Sequence, residues 1–277
     1  MTSRALRCNV IVIGASAGGV SSLIELVKRL PEGLEAALAI AVHVSENSPS
    51  ALPAILSRNG PLPATHARDG EPLLHGRIYV APPGRHLLVK RRIVRVVNGP
   101  NENRHRPAVD PLFRTAARAH GRRTIGVVLS GTLDDGTAGL MAVKRHGGAA
   151  LVQDPEDALF DGMPLSAIEN VAVDFIGNVP SLAAELVRRT AALTTDTTDL
   201  DMDDDAAEEL DVVEMDRGTP QPDDWWAVPS PFTCPDCHGS LFEREDGKLI
   251  RFRCRTGHAF SPETLASSQS KGVETAL

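Results

Sequence analysis

The sequence predicts an α/β fold in which helices cover both faces of an open, mainly parallel, doubly wound sheet. Apolar runs of strand length recur along residues 1–195, and amphipathic stretches of helix length lie between them. This is the pattern of repeated strand–helix units. Several of the runs are apolar at nearly every position, as expected for strands that are buried on both faces.

Each element is placed by the period of its apolar residues. The apolar runs predict strands at Asn9–Gly14, Ala36–Val44, Arg77–Ala81, Thr124–Ser130, Ala149–Gln153 and Ala172–Ile176. The amphipathic stretches predict helices at Val20–Leu30, Ser50–Arg58, Asp110–His120, Thr137–His146 and Ser181–Leu193. In addition, Leu87–Val89 and Ile93–Val97 flank three consecutive basic residues and predict an antiparallel hairpin at an edge of the sheet.

Charge divides the chain into three parts. The chain has 277 residues and a net charge of −7, but residues 196–224 alone hold 13 Asp and Glu residues and one Arg. Such a segment has too little apolar surface to offset its ordering entropy. We therefore expect a folded domain at 1–195, an acidic, disordered linker at 196–229 and a small tail at 230–277. A specific docking arm is the alternative interpretation of the acidic segment.

Composition excludes several classes of protein. The sequence has no apolar run as long as a membrane span, and its N-terminus lacks the pattern of a secretory signal. We therefore expect a cytoplasmic chain that does not insert into a membrane. Residues 1–195 are only mildly basic, which argues against a nucleic-acid partner. In the cytoplasm, the four cysteines favour metal ligands over disulfides.

Ser16 lies in a glycine-rich turn. The stretch Gly14–Gly19 follows the first predicted strand and opens a helix. The N–H groups of such a turn can bind a phosphate, or they can stabilise the oxyanion formed when Ser16 acts as a nucleophile. A dinucleotide site requires an acidic residue at the end of the second strand, where this sequence has His43. A nucleotide-binding domain remains an alternative.

Two further polar groups follow predicted strands. His43 ends the second strand, and Asp134 and Asp135 follow the strand Thr124–Ser130. Because ligands of open α/β sheets bind at the carboxyl ends of the strands, both groups can meet Ser16. A carboxylate that accepts the Nδ1–H of His43 would prepare the imidazole as the base for the serine. Either Asp can instead cap the next helix, and Ser130 is a rival nucleophile.

Five stretches of the first domain match one known family in order and spacing. They are Val12–Gly19, Ile78–Gly84, Arg106–Asp110, Leu129–Gly136 and Gly162–Pro164. Through these stretches, residues 8–190 resemble the catalytic domain of CheB-type chemotaxis protein-glutamate methylesterases.

The resemblance implies a three-layer α/β/α domain whose catalytic triad is Ser16, His43 and Asp135, the acid being the Asp directly before the glycine. It implies hydrolysis of glutamate γ-methyl esters on the cytoplasmic domain of methyl-accepting chemotaxis receptors. In some members it also implies deamidation of receptor glutamines. No cofactor is expected for catalysis.

The sequence departs from the family pattern at the presumed site and at the N-terminus. Ala17 replaces a common Thr, Thr132-Leu133 replaces a frequent Met-Gly, and Val44-Ser45 replaces the usual Met-Pro. The chain starts almost at the first strand, so we expect any receiver or other regulator to be a separate protein. These departures leave a second hypothesis open: a weakly active or inactive α/β module that recruits partners through the acidic linker and the tail.

The tail has the ligand spacing of a zinc ribbon. Cys234, Cys237, Cys254 and His258 form a C-x2-C-x16-C-x3-H pattern, in which two close pairs suit tetrahedral Zn²⁺. A metal could supply the folding energy that so small a core lacks. Cys234–His238 also matches the C-x-x-C-H pattern of haem attachment. A metal-free redox pair or a vestigial ribbon is a further alternative. Cys8 is expected to be a buried apolar residue.

Overall fold

The computed structural model of this chain describes residues 8–46, 50–195, 228–246 and 248–276. The predicted acidic linker therefore lies outside the described residues, apart from its last two positions. Those two, Val228 and Pro229, belong to a strand that begins the C-terminal unit, two residues before the predicted start of the tail.

The N-terminal part contains nine strands within the described residues. They are β1 Val10–Ala15, β2 Ala37–Val42, β3 Ala64–His66, β4 Arg77–Val80, β5 His86–Val89, β6 Val94–Val97, β7 Thr124–Val128, β8 Ala149–Gln153 and β9 Phe175–Gly177. Seven of the described strands form one sheet in the order β3-β4-β2-β1-β7-β8-β9. Neighbours in this sheet run parallel, which confirms the predicted parallel α/β architecture.

Helices cover both faces of this sheet. They are α1 Gly19–Val27, α2 Leu52–Asn59, α3 Val109–His120, α4 Thr137–Arg145, α5 Gly162–Asn170 and α6 Val179–Thr195. The alternation of side chains along a strand divides the core in two. Val10 and Val12 of β1 pack with α3, α4 and α5, whereas Ile11 and Ile13 pack with α1, α2 and α6. The result is the three-layer α/β/α arrangement.

The predicted hairpin is antiparallel, but its predicted position at the sheet edge is wrong. Strands β5 and β6 pair only with each other among the described strands, as a separate two-stranded sheet. All four residues of β5 are buried, and Leu87 and Val89 pack into the same core cluster as α3. A strand buried in this way covers a face of the main sheet. The edge strands of that sheet are β3 and β9.

The C-terminal unit is a small antiparallel sheet with one helix. Its elements are β10 Val228–Thr233, β11 Ser240–Asp246, β12 Leu249–Cys254, β13 Ala259–Phe260 and α7 Pro262–Ala276. The strands pair in chain order. Its apolar core holds only a few buried residues, which are Cys234, Leu241, Phe252, Cys254, Phe260 and Leu265. Among the helices of the described residues, none combines the length and apolar character needed to cross a membrane.

Candidate active site and metal centre

The candidate active site lies where the strand order of the sheet reverses. β1 is flanked by β2 on one side and β7 on the other, and the chain continues from there toward opposite edges. Open α/β sheets bind ligands at this point, outside the carboxyl ends of the strands. Ser16, His43 and the loop at 129–136 follow the carboxyl ends of β1, β2 and β7.

Two glycines allow the tight packing around Ser16. Gly18 has a φ of 75° just before α1, a left-handed conformation that glycine adopts without strain. A Cβ atom on Gly131 would lie 2.9 Å from the Cβ of Ser16, so only glycine fits there. The backbone N–H of Ser16 donates to the carbonyl of Ser130 at 2.9 Å, and this bond fixes the turn against the loop after β7.

His43 lies between the other two predicted triad residues. Its Nδ1 is 3.0 Å from the Oγ of Ser16, and its Nε2 is 2.7 Å from an Oδ of Asp135. The ring is therefore turned the opposite way from our expectation, which gave Nδ1 to the carboxylate. The sheet order explains this. His43 lies beside the end of β1, so its near nitrogen reaches Ser16 and its far nitrogen extends across β1 toward the loop after β7.

Asp135 is a buried carboxylate with a full set of donors. It is 2% exposed, and its two oxygens accept from His43 Nε2, from the backbone N–H groups of Val109 and Asp110, and from the amide of Asn103. Burial alone would raise the pKa of Asp135, but the hydrogen bond from His43 and the others hold that pKa below its ordinary value. An ionised Asp135 can only accept, so Nε2 carries the proton and Nδ1 is left to accept from the Ser16 hydroxyl.

Two residues of this site were missed by the sequence reasoning, Asn103 and His105. The side-chain amide of Asn103 donates to Asp135 at 2.9 Å. The ring of His105 stacks on that of His43, with the ring centres 3.5 Å apart. The nearby Arg106–Asp110 stretch is one of the five that match the family, but nothing in its pattern assigns roles to the residues before it.

The two rival side chains have other partners. The hydroxyl of Ser130 is bonded to the carbonyl of Ala17 and to the backbone of Phe160, which holds two loops together. Asp134 accepts a hydrogen bond from Ser261 of the C-terminal unit. The structure brings Asp135 to His43, and it gives Asp134 and Ser130 structural contacts.

The four predicted metal ligands gather at one end of the C-terminal sheet. The ligand atoms of Cys234, Cys237, Cys254 and His258 lie within 4.8 Å of one another. The Sγ atoms of Cys237 and Cys254 are 3.6 Å apart, and the Nδ1 of His258 is 3.6 Å and 3.5 Å from the Sγ atoms of Cys234 and Cys254. Tetrahedral Zn²⁺ with ordinary bond lengths requires edges of about 3.8 Å between sulfurs and about 3.5 Å between sulfur and nitrogen. The cluster therefore fits Zn²⁺.

Electrostatics in this cluster favour a metal-binding thiolate. The hydrogen bond from Cys234, together with that from His258, lowers the pKa of Cys254 to about 3 against the effect of burial. Zinc binds the deprotonated form of cysteine, so the direction of this shift favours Cys254 as a metal ligand.

Comparisons with known proteins agree with the geometry of the first domain. A family model described as CheB methylesterase matches residues 11–186. A solved structure, the CheB methylesterase catalytic domain of Thermotoga maritima, is 31% identical with a TM-score of 0.64, and the match covers 66% of this chain and 98% of that one.

Curated relatives give the same family. A protein-glutamate methylesterase/protein-glutamine glutaminase of Anaeromyxobacter dehalogenans is 38% identical over 67% of this chain and 55% of its own length. One from Xanthomonas oryzae is 36% identical over 64% of this chain and 52% of its own length. The chain thus spans about half the length of the curated relatives it matches, and the family model ends before the C-terminal unit.

Proposed function

The chain belongs to the CheB methylesterase family, and on this premise we propose that it removes methyl groups from glutamate γ-methyl esters of methyl-accepting chemotaxis receptors. The same chemistry would deamidate receptor glutamines. The observation that carries the proposal is the continuous hydrogen-bonded path from Ser16 through His43 to Asp135. The proposal gives these three side chains, from separate strand ends, the roles of nucleophile, base and orienting carboxylate.

In the first step, the ester is transferred to the serine. Ser16 Oγ attacks the ester carbonyl carbon while its proton moves to Nδ1 of His43. Asp135 stabilises the resulting imidazolium through Nε2. The N-terminal end of α1 lies next to Ser16, and the positive end of the helix dipole favours the negative charge on the tetrahedral oxygen. The proton on Nδ1 then passes to the departing methoxide, and methanol leaves.

In the second step, water regenerates the enzyme. His43, neutral again, takes a proton from water as the water oxygen attacks the acyl carbon. The proton returns to Ser16 Oγ as the bond to the serine breaks, and the glutamate carboxylate is released. A glutamine substrate follows the same path with ammonia as the first product.

The remaining parts of the chain receive their roles by the same proposal. Residues 1–195 form the catalytic domain, residues 196–227 link it to the C-terminal unit, and Cys234, Cys237, Cys254 and His258 hold a structural Zn²⁺. The metal would supply folding energy to a unit with a small core. The substrate partner is the cytoplasmic part of a chemotaxis receptor, which places the reaction in the cytoplasm.

Methanol release from a methylated receptor fragment tests the proposal. We expect Ser16→Ala to lose ester hydrolysis while its unfolding transition stays at the wild-type temperature. Ser21→Ala is the matched control, because Ser21 is an exposed residue of α1 close to the same turn. Full activity in Ser16→Ala, or a wild-type chain that neither releases methanol nor reacts with a serine-directed probe, would overturn the assignment.

A further inference from the structure

The C-terminal unit contacts the first domain directly beside the candidate active site. Nη1 of Arg251 in β12 lies 2.7 Å from Oδ2 of Asp110, and Nη2 of Arg253 lies 2.9 Å from Oε1 of Glu102. Both arginines are almost fully buried. The tail is therefore packed into the domain that carries the triad.

These contacts neutralise a cluster of buried acids. Glu102, Asp110 and Asp135 are all at most 2% exposed. Arg114 of the first domain pairs with Glu102 through two hydrogen bonds, whereas Asp110 receives its ion pair from Arg251. Buried carboxylates are costly unless they are paired and hydrogen-bonded. The tail thus completes the charge balance around the acid of the triad.

The backbone of the tail also holds the loop that orients the triad. The N–H of Asn103 donates to the carbonyl of Ala259 at 2.8 Å, and the N–H of Ala259 donates to the carbonyl of Asn101 at 3.2 Å. Asn103 and Arg104 both have positive φ, at 49° and 70°. Side-chain-bearing residues keep this conformation only where surrounding contacts enforce it.

This loop reaches the triad at two points. The amide of Asn103 donates to Asp135 while its oxygen accepts from the N–H of Ser261 in the tail. Two residues farther along the loop, His105 stacks on His43. A loop that is fixed at Asn103 therefore fixes both the acid and the base of the triad.

Two of the four proposed metal ligands lie inside the segment that makes these contacts. Cys254 and His258 stand between Arg253 and Ala259 in the chain, and they are joined by the hydrogen bond from the N–H of Cys254 to the carbonyl of His258. A metal bound to both residues would fix the turn between β12 and β13. It would thereby fix the distance between the contacts made by Arg251 and Arg253 before the turn and those made by Ala259 and Ser261 after it.

We propose that the metal-loaded tail is a positioning element of the active site. Through Arg253 and the segment Ala259–Ser261 it holds the loop at 101–105, and through Arg251 it pairs with Asp110 beside Asp135, so that Asp135 and His43 stay aligned on Ser16. The inference rests on the proposed esterase function. It adds that metal binding in the tail sets the rate of the chemical step at the triad.

Arg251→Met in the full chain is the first test. We expect kcat for methanol release to fall tenfold or more with KM nearly unchanged, because the triad and not the substrate surface is disturbed. The downfield proton resonance of the His43–Asp135 hydrogen bond should weaken in parallel. Arg251→Lys should restore part of kcat, and Lys248→Met, which removes an exposed cation from the turn between β11 and β12, should keep the wild-type rate.

Metal removal is the second test, and it changes no residue. Zinc is removed from the full chain with a chelator, its content is measured, and the rate of labelling of Ser16 by a serine-directed probe is compared before and after zinc is restored. We expect labelling to slow tenfold or more and to recover with zinc. Cys237→Ser should reproduce the loss, while Cys8→Ala, which removes a cysteine far from the cluster, should not.

The outcomes separate this inference from the proposed function. A wild-type chain that hydrolyses the ester, together with metal-free and Arg251→Met chains that label and turn over at the wild-type rate, overturns the inference and leaves the function standing. Activity lost only in proportion to the unfolded fraction, measured by circular dichroism, makes the tail a general stabiliser and also overturns it.

Discussion

At the residue scale, Asp135 is the side chain whose chemistry is most constrained. Its oxygens accept from four donors, two of which are backbone N–H groups. In Asp135→Asn, an amide NH₂ would have to face one of these donors, and the imidazole would lose the anion that fixes its tautomer. We expect kcat to fall by about 10³-fold or more, measured by methanol release.

Asp174→Asn is the control for this prediction. Asp174 is also a carboxylate that accepts both a backbone N–H and a cationic side chain, but it lies at β9, away from the triad. It should keep the wild-type kcat. Equal losses in the two variants would mean that Asp135 serves stability rather than catalysis.

Leu159 is the residue through which we expect the enzyme to contact the receptor. Its side chain is 73% exposed. It lies beside the turn that carries Ser16, because a Cβ atom added to Gly18 would be only 2.8 Å from the Cβ of Leu159. Burying such a side chain against a substrate stabilises the complex by about 1.5 kcal/mol. Leu159→Ser should raise KM for methylated receptor about tenfold and leave kcat unchanged.

A second exposed leucine provides the control. Leu74 is 49% exposed and precedes β4, at the opposite end of the sheet from the site. Leu74→Ser should leave KM as it is. If both variants bind receptor like the wild type, or if Leu159→Ser changes only kcat, the contact is not made there.

The strand ends at Ser16, His43 and the loop at 129–136 could be predicted from sequence because each follows a recognisable apolar strand, whereas the choice of Asp135 over Asp134 came from the family resemblance. The orientation of His43 could not be predicted, since it depends on the order of the strands in the sheet. Asn103 and His105 could not either. Their roles depend on the left-handed turn at Asn103 and Arg104. Neither residue type predicts such a turn from sequence as strongly as glycine does.

At the element scale, length and burial decided which predictions succeeded. The long, continuously apolar strands were predicted within one or two residues. β3 has only three residues and was missed, as was helix α5, whose Gly162-Met163-Pro164 start was read only as a family match. The hairpin was recognised but misplaced, because the sequence pattern of β5 does not tell which surface will bury it.

The start of α7 is an element boundary that also joins two parts of the chain. The Ser261 hydroxyl accepts from the N–H of Thr264, as a helix cap does, and donates to Asp134. Burial raises the pKa of Asp134 to about 7, and the hydrogen bond from Ser261 offsets only part of this effect. The folded state therefore holds a proton on Asp134 that the unfolded state releases near pH 4.

This difference gives a pH dependence with a definite sign. Because the folded state binds more protons, the stability that Asp134 contributes is fully present below about pH 4 and is lost as pH rises through 7. Asp134→Asn should remove this loss, so its stability relative to the wild type should improve by roughly 2 kcal/mol between pH 5 and pH 8. Urea unfolding of both proteins at the two pH values measures it, and a difference that does not change with pH would contradict it.

At the scale of the whole molecule, the docking of the tail was not predictable from sequence. The contacts join residues that are 141 to 158 positions apart and are polar, so no apolar period marks them. Composition and charge predict regions of different character along the chain. They gave no indication that β12 and β13 would pack against the loop at 101–105.

Glu102 is a carboxylate of the first domain that two arginines of the tail approach. It is fully buried and accepts from Arg114 and Arg253, with Arg251 3.7 Å away. Burial alone would raise its pKa, but these arginines hold that pKa well below its ordinary value. Glu102→Gln leaves buried cations without their counter-charge, which we expect to lower the free energy of unfolding by about 3 kcal/mol. Asp69→Asn, which breaks an exposed pair with Arg95, should cost less than about 1 kcal/mol.

Linkage extends this prediction to the metal. If zinc binding in the tail strengthens its docking, then docking must strengthen zinc binding by the same factor. Glu102→Gln, a change outside the ligand cluster, should therefore weaken zinc affinity, by about tenfold for each 1.4 kcal/mol of coupling. Competition with a chromophoric chelator measures this in the full chain. Asp69→Asn should bind zinc like the wild type, and an unchanged affinity in Glu102→Gln would show that the two parts of the molecule are stable independently.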